Sequence, residues 1–166
     1  MKHQVFADLT TILHQRLKDA HRIAVIGIGD ELSPFDCLGM YAAREIEKLH
    51  FPDIRVFLAG TVPESVTAPI RRFQPDHVIL LDSADLNVRP GTINVVNPGK
   101  IEGNLVSTHV LPLSEVMKFI AHDSKTRVTL LGIQPDMTVP DKGLDDKDRE
   151  FLQQNLQNLS KILRDR

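Results

Sequence analysis

The sequence predicts an α/β fold, a three-layer α-β-α sandwich around a mostly parallel, twisted sheet. Three observations carry that expectation. Short apolar runs stand at residues 23–26, 54–59, 77–82 and 127–133, and the run at 77–82 lacks polar alternation, as strands buried on both faces do. The stretches between them repeat apolar residues at helical spacing. The resulting order is strand, helix, strand, helix, strand, hairpin, helix, strand, helix, the alternation a parallel sheet needs.

Each element has its own signals. Residues 4–19 read as a helix with Phe6, Leu9, Leu13 and Leu17 on one face. After the first strand, Leu38, Ala42, Ile46 and Leu49 mark a helix from about 36 to 49, stopped by Pro52. Gly60 closes the second strand, and Thr61 to Phe73 holds a loop and a short helix with Pro69 in its first turn. The run HVILLD follows. Pro90-Gly91 reads as a type II turn before a strand over 92–96, which completes the hairpin. Residues 101–113 are loop-like. Ser114 is placed to cap a helix to His122, with Val116, Phe119 and Ile120 inward. The last helix spans about 145–164, with Leu152, Leu156, Leu159 and Leu163 on one stripe.

Composition narrows the classes. A chain of 166 residues with no repeat or linker is expected to form one domain over 1–166, large enough for a real core. A net charge of −2 and pI near 6.4 carry no nucleic-acid footprint. No apolar run approaches the roughly 18 residues of a spanning helix, and the N-terminus has no signal-peptide h-region. A single cysteine, Cys37, excludes an internal disulfide framework and a multi-cysteine zinc site. The expectation is a cytoplasmic monomer that neither inserts into membranes nor binds nucleic acid.

Open α/β sheets gather ligands at the C-terminal ends of their strands. Asp36, after the first strand's glycine loop, and Asp82, ending HVILLD, map to that edge, and the segment holding His109 is able to return to it. Two carboxylates and an imidazole suit a divalent transition metal with open positions, or an acid/base set. Simpler roles stay open: Asp36 as a helix cap or first-turn acid, Asp82 as a partner of loop amides, His109 as a structural histidine. Cys37 is either a reactive thiol at a helix start or a small buried residue. Gly27-x-Gly29 lacks the third glycine of a dinucleotide fingerprint, since Leu32 stands there, so a nucleotide-binding module is the weaker reading.

Four segments in order carry a resemblance. They are Gly29-Asp30-Glu31-Leu32-Ser33-Pro34-Phe35-Asp36-Cys37-Leu38-Gly39, Leu80-Leu81-Asp82-Ser83-Ala84-Asp85, Thr108-His109-Val110-Leu111-Pro112-Leu113, and LGIQPD at 131–136. Gly60-Thr61-Val62-Pro63-Glu64 adds a fifth. Together they resemble the hydrogenase maturation proteases of the hydrogenase-3 large-subunit type, over about residues 22–138. The resemblance implies a phosphorylase/hydrolase-like sandwich and an aspartyl-type endopeptidase. Its reaction would remove the C-terminal extension of a [NiFe] hydrogenase large-subunit precursor after nickel insertion. It places the family's metal-binding and catalytic trio on Asp36, Asp82 and His109. Nickel would be supplied by the precursor rather than permanently bound. The chain departs from the family pattern at Asp30 (usually Asn), Phe35 (usually acidic) and Cys37 (usually Gly). The helix before Arg22 is extra. A catalytically silent paralogue that holds the precursor or its nickel is the alternative these departures raise.

Overall fold

The structure is a computed structural model that describes residues 8–97, 113–122, 125–139 and 141–166. Phe6 and His109 lie outside the described residues. Five strands form one sheet in the order β2-β1-β3-β5-β4. They are β1 (Ile23–Ile28), β2 (Ile54–Gly60), β3 (His77–Ser83), β4 (Ile93–Val96) and β5 (Arg127–Ile133). The first three and β5 run parallel.

β1 and β3 are buried at every residue, which is why neither alternates. Successive side chains instead feed two cores. Ile23 and Val25 point into one, with Ile79, Leu81 and Leu131. It is closed by α1 (Leu9–Leu17), α2 (Leu38–Glu47) and α5 (Asp146–Asp165). Ala24, Ile26, Val78 and Leu80 point into the other, under α3 (Thr67–Phe73) and α4 (Leu113–His122). Helices on both faces make the three layers. Among the described residues, no helix is long and apolar enough to cross a membrane.

Several expectations change. The hairpin does not form: β4 skips β3 and pairs antiparallel with β5, from Ile93↔Ile133 to Val96↔Leu130, at the far edge. The turn at Gly91 (φ +85°) turns the chain into β4, but the 84–92 segment first carries it past β5. Helix α2 begins at Leu38 rather than 36, and Leu49 lies beyond its end, 44% exposed. Helix α4 begins at Leu113, so Ser114 sits within its first turn instead of capping it. Its inward set is Leu113, Val116, Met117 and Ile120, while Phe119 faces out under the guanidinium of Arg71, 4.1 Å from the ring centre. Helix α1 is no appendage. Leu13 and Leu17 are fully buried, and Arg16 Nη1 donates to Thr129 Oγ1 of β5 at 3.1 Å.

Candidate functional site

The C-terminal ends of β1 and β3 lie side by side, because Gly27 pairs with Leu81 in parallel register. Asp82 is the next residue on β3 and is fully buried. Its Oδ1 accepts the N–H of Ser83 at 2.8 Å, so the local role of binding an amide is filled. The other site acid arrives on the loop that leaves β1. Gly29 turns that loop at φ +132°, and a Cβ there would lie 1.8 Å from the carbonyl oxygen of Asp36. Only glycine allows this closure. The loop is then drawn shut across itself, as the Asp30 N–H donates to Asp36 Oδ2 at 3.1 Å. Arg44 grips it from α2, with Nε and Nη2 on Glu31 at 2.7 and 3.1 Å, and holds the Glu31 carboxyl below its usual range.

Asp36 is not the helix cap. Cys37 occupies the cap position and makes no side-chain cap bond. The orphan N–H of Leu38 is taken across the fold by Ser83 Oγ at 3.3 Å, so β3 caps α2 in place of a local residue. Gly39 makes this approach possible. A Cβ on it would meet the carbonyl oxygens of Leu81 at 2.2 Å and Ile28 at 2.3 Å. Leu38, one residue after Cys37, is therefore tied to the residue beside Asp82. The structure brings Asp36 and Asp82 to one edge of the sheet. His109 lies outside the described residues.

Two of the three departures from that resemblance, Cys37 and Asp30, have physical readings. Cys37 sits at φ −87°, ordinary right-handed backbone, so the glycine usual there is not required here. Its thiol is half-buried, and burial first, then the carboxylates of Asp36, Glu31 and Asp30, push its pKa up. That is the opposite of an activated thiol, so the reactive-thiol reading of Cys37 is not supported. Asp30 uses Oδ1 to accept the N–H of Leu32 at 2.9 Å, a turn that any side-chain carbonyl oxygen can make.

Two positioning residues escaped the sequence reading. One is Ser83. The other is Gln134, 3% exposed, whose Oε1 accepts the Leu86 N–H at 2.6 Å and whose Nε2 donates to the Pro135 carbonyl at 3.0 Å. It ties the segment after β3 to the end of β5. A polar residue directly after an apolar strand was the available signal.

Of the three metal donors that the resemblance implies, Asp36 and Asp82 lie among the described residues. Among them no group of three His, Cys, Asp or Glu side chains is placed to hold an ion.

A family model described as hydrogenase maturation protease matches residues 40–158. The chain belongs to that family. The matched span contains Asp82 and His109, while Asp36 falls just before it. A hydrogenase maturation protease structure from Thermococcus kodakarensis is 28% identical with a TM-score of 0.77, and the superposition covers 92% of this chain and 99% of that one. A Methanocaldococcus jannaschii protein named as a hydrogenase maturation protease is 28% identical over 132 residues, 75% of this chain and 78% of its own length. The hydrogenase 3 maturation protease of Escherichia coli is 33% identical over 79 residues, 47% of this chain and 50% of its own length. The protein is thus a maturation endopeptidase, and the nucleotide-module and silent-paralogue readings are not favoured.

Proposed function

We propose that this protease removes the C-terminal extension of a [NiFe] hydrogenase large-subunit precursor, and that it recognises the nickel the precursor already carries. Asp36, Asp82 and His109 contact that nickel. The observation that carries the reading is the convergence of Asp36 and Asp82 on one strand edge, through the Asp30–Asp36 loop closure and the Gly39 contact. Two carboxylates cannot complete the coordination of a divalent transition metal. In this reading the remaining donors are the imidazole of His109 and the thiolates of the precursor.

Nickel in that position polarises the scissile carbonyl or activates water. The protease supplies charge and orientation. Asp82, fixed by the Ser83 N–H, presents a carboxylate from the rigid strand, and Asp36 presents one from the loop. Cleavage is then conditional on metal insertion. The protein acts in the cytoplasm as a monomer, where the precursor is loaded.

The test compares nickel-loaded with nickel-free precursor, with products weighed by mass spectrometry. Loss of a C-terminal peptide from the loaded form alone is the expected result. Equal cleavage of both forms would overturn nickel recognition.

A further inference from the structure

Four apolar side chains stand exposed at the end of the sheet that holds the site, among exposed polar residues such as Glu31, Thr61 and Thr138. Leu32 is 93% exposed, Met137 46%, Val62 45% and Val139 38%. All four lie on segments that leave the C-terminal ends of β1, β2 and β5, the edge that holds Asp36 and Asp82. The other exposed large hydrophobics among the described residues are elsewhere. Leu49 follows α2 at the opposite end, and Phe119 lies on α4 with the Arg71 guanidinium over its ring. Single exposed apolar residues need no explanation, but four on loops that all leave one end of the sheet do.

These side chains are held outward by built turns. The Leu32 N–H donates to Asp30 Oδ1 at 2.9 Å, and the Ser33 N–H donates to the Asp30 carbonyl at 3.0 Å. Val62 donates to the Ala59 carbonyl at 3.3 Å and accepts from Ser65 at 2.9 Å. Met137 stands between Asp136 and Thr138, whose N–H and hydroxyl both donate to Asp136 Oδ1 at 2.9 and 2.6 Å. Turns fixed in advance lower the ordering cost of an interface.

We propose that Leu32, Val62, Met137 and Val139 are the contact collar through which the protease docks on its folded precursor, against apolar surface around that protein's nickel. The inference rests on the function proposed above. The occupant follows from continuity with the site. Leu32 and Asp36 share one short loop, closed by the Asp30–Asp36 hydrogen bond. A partner seated on Leu32 therefore rests on the loop that carries the carboxylate.

The experiment measures the Kd for nickel-loaded precursor by calorimetry, with cleavage followed separately. Leu32→Ser and Met137→Ser are each expected to weaken binding about tenfold, and Leu49→Ser to leave it unchanged. Unchanged Kd in both collar variants overturns the proposal, as does equal weakening by Leu49→Ser. Sedimentation of the free protein gives the remaining arm: a wild-type dimer that Leu32→Ser makes monomeric assigns the face to a second copy and overturns the proposal. Should the wild type bind precursor without cutting it, the function reading fails while the Kd comparison still decides the collar. Leu32 is almost fully exposed, so an unaltered melting temperature is expected and separates docking from folding.

Discussion

The backbone N–H of Asp30 donates to Asp36 Oδ2 at 3.1 Å, and this bond shapes the loop that carries the site's loop-borne carboxylate. It explains how a residue with no strand or helix beneath it holds a fixed position. It also makes charge separable from shape, because an amide oxygen accepts the same bond.

Asp36→Asn should therefore keep the loop and remove the charge. Cleavage of nickel-loaded precursor is expected to fall at least about 100-fold. Asp82→Asn should do the same, since its Oδ1 can still accept from Ser83. Far-UV dichroism and melting of both variants should match the wild type. Normal cleavage by either would remove that carboxylate from the mechanism.

Gly39→Ala tests how α2 is seated. The new methyl would collide with two backbone carbonyls, at 2.2 and 2.3 Å, neither of which is a flexible side-chain end. A loss of about 3 kcal/mol in denaturant unfolding is expected, with reduced cleavage because the Leu38–Ser83 bond is displaced.

His77 sets an acid limit on stability. It is 1% exposed at the start of β3, and its Nε2 shares a 2.9 Å hydrogen bond with Thr129 Oγ1. Burial, reinforced by Arg127 of β5 and Arg16 of α1, pushes its pKa from 6.5 down to about 4. The unfolded chain takes up this proton near pH 6.5 and the folded chain only near pH 4. Stability from the neutral ring is therefore complete above about 6.5 and is lost as pH falls toward about 4. The loss approaches about 3 kcal/mol. Melting curves across that range should show a steeper acid decline in the wild type than in His77→Gln.

Leu17→Ala tests whether the N-terminal helix α1 belongs to the core. The residue is fully buried against the cluster shared with α5. A cost of about 3 kcal/mol is expected in chemical unfolding. A loss under about 0.5 kcal/mol would mean that α1 is only laid on the surface.

The sequence by itself determined the strands, the layer order and the side of the sheet where the acids sit. Those features depend on local periodicity and on apolar runs such as 77–82, and burial on both faces writes them plainly. It also determined family membership, through motifs whose order survives even where Asp30, Phe35 and Cys37 depart. Only the tertiary structure decided what caps α2. A helix start with no local cap makes a nearby aspartate look like one, but the partner is Ser83, 45 residues away. The position of β4 was decided the same way. A turn at Pro90-Gly91 fixes a reversal, whereas the choice between β3 and β5 as neighbour depends on strands distant in sequence. The outward face of Phe119 likewise depends on Arg71, which sits on another helix. Short-range signals are set by the residues that carry them. Long-range hydrogen bonds and contacts exist only once the chain has folded and brought both partners to the same place.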